Sequence, residues 1–85
     1  MKKIRYKVTD PLGIHARPAG FLVKLIRGFK SKASIEKDVK EVDAKSIIAL
    51  MSLGVKQGDN ITLTFDGEDE EIASISVDKF LKENL

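Results

Sequence analysis

The 85-residue chain contains no cysteine, no tryptophan and only one histidine. The lack of cysteine excludes disulfides and thiolate metal sites, and a single histidine argues against structural zinc. No apolar run is long enough to cross a bilayer, and no apolar stretch follows the two lysines near the N-terminus, as a signal peptide would require. We therefore expect a cytoplasmic protein that does not insert into membranes, and the sequence implies no metal or other cofactor.

Neither sign of charge is in large excess, because 15 lysines and arginines oppose 13 aspartates and glutamates for a formal net charge of +2. A balance this close to neutral does not indicate nucleic-acid binding. The charges are unevenly placed, however. Asp10 is the only acidic residue among the first 32, whereas residues 66–71 read DGEDEE. A basic N-terminal region that carries the lone histidine suits an anionic ligand or an acidic partner.

The hydrophobic pattern predicts seven elements in the order βαββαβα. Alternation predicts four strands, over residues 3–9, 33–37, 39–43 and 61–65, and helical spacing predicts three helices, over about 16–27, 47–53 and 69–84. Strands that alternate, rather than run uniformly apolar, favour an antiparallel sheet. We therefore predict one α+β domain over residues 1–85, an open-faced two-layer β-sandwich whose four-stranded antiparallel sheet is covered on one face by three helices.

Two segments carry specific expectations about buried side chains. In the hairpin of the second and third strands, Ile35, Val39 and Val42 are the inward-facing candidates, around a tight turn at residues 37–40. The last helix is expected to bury a broad apolar face, made of Ile72, Ala73, Ile75, Val77, Phe80 and Leu81.

Residues 13–19, GIHARPA, place the lone histidine at the expected N-cap of the first helix. The amides of Ala16 and Arg17 then have no intrahelical partner, and with the helix dipole they form an anion site. Arg17 adds a fixed charge and a fork of donors suited to phosphate, while neutral imidazole at His15 is a nucleophile that positive surroundings favour over imidazolium. On general grounds, however, a lone histidine near a helix start is most often only a surface or capping residue.

Ser46 precedes a short and nearly all-apolar helix, where a serine is most often only an N-cap. Phosphorylation there would place about −1.5 to −2 charges at a helix N-terminus, which accommodates a dianion well. A helix this short can bury only one side, so Ile47, Ile48 and Met51 are expected to be partly exposed. They represent either loose core packing or a docking patch on which the flexible Met51 side chain adapts to several partners.

Residues 13–19 and residues 45–55, KSIIALMSLGV, resemble the active-site signature and the regulatory serine region of HPr, the histidine-containing phosphocarrier family of the bacterial sugar phosphotransferase system. The resemblance spans nearly the whole chain and implies a phosphoryl carrier rather than an enzyme. It implies that His15 accepts phosphate on Nδ1 from enzyme I, which is charged by phosphoenolpyruvate, and donates it to the IIA components of sugar permeases. Arg17 and the amides of Ala16 and Arg17 would stabilise the phosphoryl group.

The same resemblance implies a regulatory role for Ser46. In many Gram-positive bacteria an HPr kinase/phosphorylase modifies such a serine, and the phosphoserine form serves as corepressor for a catabolite-control repressor. If enzyme I presents acidic groups to this surface, charge repulsion from phosphoserine would slow transfer to His15.

Three other functions compete with this interpretation. The sequence does not cleanly separate a paralogue in a nitrogen-regulatory phosphorelay, although the segment around Ser46 favours the sugar branch. Purely regulatory relatives replace the histidine, whereas His15 is present here. An RNA-binding domain of similar architecture would need aromatic side chains on the open sheet face, and Tyr6 and Phe65 are expected to point inward.

Two positions depart from the commonest pattern of the family. Leu12 stands where a small polar residue is frequent, which extends the apolar surface and removes a potential hydrogen bond near the ring. Val39 stands where the hairpin often has glycine, which leaves the turn geometry open. We expect the chain to be a monomer.

Overall fold

A computed structural model describes residues 1–85, and its seven elements follow in the predicted order. The strands and helices are β1 (Lys2–Lys7), α1 (Ala16–Arg27), β2 (Lys32–Lys37), β3 (Lys40–Asp43), α2 (Ile47–Ser52), β4 (Asn60–Asp66) and α3 (Glu70–Asn84). The predicted boundaries of α1 coincide with the observed ones. Each of the other elements differs at one or both ends by one or two residues, where hydrophobic periodicity carries the least information.

The four strands form one antiparallel sheet in the order β1-β4-β2-β3. One inward-facing row crosses the whole sheet, because Ile4 pairs with Leu63, which pairs with Ile35, which pairs with Val42. Leu63 and Ile35 are fully buried in the middle of this row. The structure confirms the predicted open-faced sandwich, with the helices packed over this face.

One cluster of 19 buried hydrophobic residues lies between the sheet and the helices. Helix α1 contributes Leu22 and Ile26 to it, α2 contributes Leu50, and α3 contributes Val77 and Leu81. Every buried polar side-chain atom has a hydrogen-bond partner. The ends of the helices are therefore held by a continuous core, which fixes where their N-terminal residues lie.

The hairpin between β2 and β3 corrects one prediction. Lys37 pairs with Lys40, so Asp38 and Val39 form a two-residue loop, and Asp38 takes the left-handed conformation with φ 57°. Val39 is 97% exposed, so the prediction that it faces inward is wrong. A residue in the loop lies beyond the last cross-strand pair and belongs to neither face of the sheet.

Helix α3 corrects a second prediction, because its buried face is narrower than expected. Ala73, Val77 and Leu81 are buried, with a spacing of four residues, whereas Ile72 and Ile75 are 62% and 63% exposed. Successive residues are rotated by about 100° around a helix, so the two isoleucines fall outside the stripe that faces the core. The apolar residues of α3 were too many to fit on one face.

Candidate functional site

His15 is the N-cap residue of α1, as predicted. Its backbone is extended, with φ −112° and ψ 175°, and its carbonyl oxygen accepts the first intrahelical bond from the Ala19 amide at 2.9 Å. The imidazole makes no capping hydrogen bond, and 37% of the side chain is exposed. The ring therefore lies beside the helix N-terminus, and neither of its nitrogens caps the helix.

The first amides of α1 are open. The N–H groups of Ala16 and Arg17 make no hydrogen bond within the chain, and Pro18 has no N–H to donate. Both residues are exposed, and the first turn contains no acidic side chain. Two free donors at the positive end of a 12-residue helix are positioned to bind an anion without any rearrangement.

The loop before His15 is fixed by contact with the segment that follows α2. Gly13 has φ +67°, and a Cβ there would overlap the Val55 carbonyl oxygen and lie 2.7 Å from Lys56 Cα. The same Val55 oxygen accepts a hydrogen bond from the Ile14 amide at 3.1 Å. Only glycine permits this approach, which sets the position of the histidine two residues later.

A shallow cleft of about 240 Å³ surrounds the imidazole. It is lined by Asp10, His15, Arg17, Pro18, Phe21 and Asn84. The structure thus brings Arg17 and His15, both predicted from the sequence, to one cleft. It also adds Asp10, whose Oδ2 lies 3.6 Å from His15 Nε2, and the exposed ring of Phe21.

Sequence reasoning missed three members of this cleft. Asp10 carried a signal, because it is the only acidic residue in the first 32 and lies five positions before the histidine. Phe21 carried a weaker one, since it is the aromatic residue of α1 outside the buried stripe of Ala19, Leu22, Val23 and Ile26. Asn84 carried none, because the end of α3 reaches the site only through the tertiary fold.

Ser46 is the N-cap of α2, and its hydroxyl oxygen accepts a hydrogen bond from the Ala49 amide at 3.2 Å. The predicted capping role is confirmed. The residue is half-buried, and the neighbouring Lys45 donates from Nζ to the Phe29 carbonyl at 2.8 Å. Ser46 therefore lies at the surface of the layer formed by α1 and α2, beside a fixed positive charge.

The three predicted docking residues form an exposed apolar patch on α2. Ile47, Ile48 and Met51 are 41%, 81% and 40% exposed, whereas Leu50 is buried beneath them. The Cδ1 atom of Ile47 lies 3.8 Å from the position of a Cβ on Gly20 of α1. Gly20 is five residues after His15, or about 7.5 Å along the helix axis, so the patch lies within about two helical turns of the histidine.

No group of three or more histidine, aspartate or glutamate side chains could hold a metal ion. None of the three helices is both long enough and apolar enough to cross a membrane. The cleft itself brings together an imidazole ring, an arginine and open backbone amides.

Known proteins share both the sequence and the fold. The family described as "PTS HPr component phosphorylation site" matches residues 2–83. The phosphocarrier protein HPr of Mycoplasma genitalium is 45% identical, over an alignment that covers 99% of this chain and 97% of the relative. The crystal structure of HPr from Thermoanaerobacter tengcongensis superimposes with a TM-score of 0.94 at 40% identity, covering 98% of this chain and 93% of that one.

A third similar structure is the catabolite repression protein Crh of Bacillus subtilis, crystallised as a domain-swapped dimer. It is 39% identical, with a TM-score of 0.78, and the match covers all of this chain and 98% of Crh. Fold and sequence together define the class of protein as a phosphocarrier, which relays a group and is not a catalytic enzyme. The chain belongs to the HPr family of the phosphotransferase system.

Proposed function

We propose that this chain is the general phosphocarrier of a sugar phosphotransferase system. His15 accepts a phosphoryl group from phosphorylated enzyme I and passes it to IIA components, and the carrier works in the cytoplasm with them. The observation that carries the proposal is the N-terminus of α1, where an uncommitted imidazole shares one cleft with Arg17 beside two unpaired amides. The family supports the same role.

The cleft supplies what phosphoryl transfer between histidines needs. His15 Nδ1 attacks phosphorus with its lone pair, the donor P–N bond breaks, and the bonding electrons return to the donor imidazole. Charge on the three transferred oxygens is balanced by the Arg17 guanidinium and the amides of Ala16 and Arg17. The same groups hold the phosphoryl oxygens before and after transfer, so the reverse step is equally supported and the group can move on.

Partner binding is assigned to the apolar patch of Ile47, Ile48 and Met51. These side chains lie beside Gly20, within about two helical turns of His15, and are exposed without being covered by another element. A patch of three residues gives weak, rapidly reversible association, which a relay between several partners requires. The flexible Met51 side chain allows different partner surfaces to fit.

Ser46 is assigned the role of a regulatory phosphorylation site. The residue is half-buried at the N-terminus of α2, where a phosphate would meet helix amides and the neighbouring Lys45. The added charge lies at the edge of the docking patch, so it would repel an acidic donor surface. The kinase would be an HPr kinase/phosphorylase, and the product would act as corepressor with a catabolite-control repressor.

The direct test uses purified enzyme I and labelled phosphoenolpyruvate. We expect one phosphate per chain, labile in acid and stable in base, and none on His15→Ala. Because the chain has a single histidine, this variant removes every histidine. Ser46→Ala is the matched control and keeps full labelling. Label that persists on His15→Ala, or acid-stable label that disappears with Ser46→Ala, would overturn the assignment of His15.

A further inference from the structure

Asp10 is held rigidly against the imidazole. Its Oδ1 accepts a hydrogen bond from the Leu12 amide at 2.8 Å, which leaves Oδ2 facing His15 Nε2 at 3.6 Å. Its backbone is tied at both ends, since its amide donates to the Leu85 carbonyl at 2.9 Å and its carbonyl accepts from Gly13 at 2.8 Å. The carboxylate is therefore fixed by the loop, with one oxygen left for the ring.

We propose that Asp10 is a positioning residue that keeps the proton of neutral His15 on Nε2 and thereby presents the Nδ1 lone pair to phosphorus. The proposal rests on the proposed role of His15 as phosphoryl acceptor. It gives a structural reason, within this chain, for transfer through Nδ1.

The chemistry of the cleft supports this choice. Neutral imidazole carries its proton on one nitrogen or the other, and a fixed hydrogen-bond acceptor selects the nitrogen that faces it. Asp10 supplies the carboxylate of the cleft, whereas Arg17 is a donor only. Leu12 offers the ring no side-chain acceptor. A separation of 3.6 Å is slightly longer than a hydrogen bond, and such contacts commonly shorten in the reacting complex.

The transfer step balances with this proton in place. Nδ1 gains the bond to phosphorus, the donor nitrogen regains its electron pair, and the Nε2 proton does not move. The phosphorylated ring then carries a positive charge shared over both nitrogens. The Asp10 carboxylate offsets that charge, so it stabilises the product as well as orienting the reactant.

The test uses Asp10→Asn, which keeps an oxygen to accept from Leu12 but turns an amide donor toward Nε2. A donor there favours the proton on Nδ1, the nitrogen that must be unprotonated to react. Asp43→Asn is the matched control. Asp43 Oδ1 accepts from the Lys45 amide at 2.9 Å, so Asp43 makes the same bond to the residue two positions later, but it lies outside the cleft. Asp10→Ser provides a second variant, which keeps a turn acceptor without an amide donor.

Two readouts are needed. The ¹⁵N chemical shifts of His15, recorded on unphosphorylated protein with the ring in its neutral form, report which nitrogen carries the proton. We expect the Nε2-protonated form in the wild type and in Asp43→Asn, the Nδ1-protonated form in Asp10→Asn, and a mixture in Asp10→Ser. Phosphoryl acceptance from enzyme I should slow by on the order of 10- to 100-fold in Asp10→Asn, and less in Asp10→Ser.

The proposal is overturned if the wild-type ring is protonated on Nδ1, or if Asp10→Asn changes neither the proton position nor the rate. Those outcomes leave the carrier function intact as long as wild-type His15 is labelled. Conversely, a wild type that takes no label from enzyme I refutes the carrier function, whatever the ring proton shows. A folded Asp10→Asn is verified by an unchanged circular dichroism spectrum, and Asp10→Ser answers the question if that variant unfolds.

Discussion

The side chains that precede α1 and α3 are used in opposite ways. At α1 the cap side chain, His15, makes no structural hydrogen bond and the first amides are open. At α3 the cap residue Asp69 accepts from the Lys30 and Ser31 amides at 2.7 and 2.9 Å, and from the Ser31 hydroxyl at 2.5 Å. The side chain of the α3 cap is bound by another loop of the chain, which makes this the closed cap, whereas the side chain of the α1 cap is free and its end is open.

The difference separates stability from function. The bonds to Asp69 tie the loop between α1 and β2 to the start of α3, and they hold the pKa of its carboxyl at about 2, chiefly through the Ser31 hydroxyl and the Lys30 amide. The His15 side chain at the start of α1 makes no comparable hydrogen bonds within the chain. Substitutions at the open end should therefore change transfer, and substitutions at the closed end should change folding.

The largest expected effect is that of Arg17→Ala on phosphoryl acceptance. Loss of a charged donor to the transferred oxygens should reduce the rate by about 10²- to 10³-fold, while stability stays within about 0.5 kcal/mol because the side chain is exposed. Arg27→Ala, at the exposed end of the same helix, removes the same charge and should leave the rate unchanged. Equal losses in both variants would show that net charge alone matters.

Gly13→Ala comes next and tests how the open end is held in place. A left-handed φ costs a residue with a Cβ about 1–2 kcal/mol, and overlap with Val55 adds about 1–3 kcal/mol. Gly54→Ala separates the two terms, because Gly54 has φ +62° with no atom within 4 Å of its would-be Cβ. Urea unfolding should show a larger loss for Gly13→Ala, and equal losses would mean that the approach to Val55 is not tight.

The acid dependence of stability tests the closed end. The native pKa of Asp69, about 2, lies below its ordinary value of 3.8, so its stabilising contribution is complete above about pH 4 and is lost as the pH falls through 2. Asp69→Asn should lower the thermal midpoint at neutral pH and flatten its decline between pH 4 and 2. Asp66→Asn, at the exposed end of β4, should preserve the wild-type slope; a slope that survives in Asp69→Asn would assign it to other carboxyls.

The smallest expected effect is at the third cap, Ser46. Ser46→Asp keeps a side chain able to cap α2 but adds a negative charge beside the docking patch, so transfer from enzyme I should slow several-fold at low salt. The loss should fade near 1 M salt, where the Debye length is about 3 Å. Ser46→Asn caps without charge and should transfer normally. A salt-independent loss would point to altered packing of α2 instead of repulsion.

Local pattern predicted the parts of this comparison that lie within one stretch of chain. His15, Arg17 and the amide of Ala16 belong to one helix start, and Ser46 belongs to another, so capping rules placed all of them. The same rules missed the partners of Asp69, which lie in the loop after α1. They also missed Asn84, which joins the cleft from the end of α3.

Burial was predicted well where strands alternate and less well where apolar residues exceed the space available. Ile35 and Val42 face inward as expected, since the sheet fixes their side. Ile72 and Ile75 do not, because a helix on a sheet buries only a stripe and composition does not reveal which apolar residues are surplus. The prediction for Val39 failed for a different reason. A shift of the turn by a single residue decides whether a side chain there faces inward or lies in the loop.

The shallow shape of the cleft has a consequence for where the phosphoryl group goes. With His15 partly exposed and the first amides of α1 uncovered, the chain contributes only one wall of a reaction chamber, and each partner must bring the opposite wall. Water is excluded only while a partner is bound. In the proposed relay, the phosphoryl group on the free carrier is therefore exposed to spontaneous hydrolysis. Because one open cleft fits many partner surfaces, the abundance of each recipient protein and the lifetime of its contact decide which one receives the phosphoryl group.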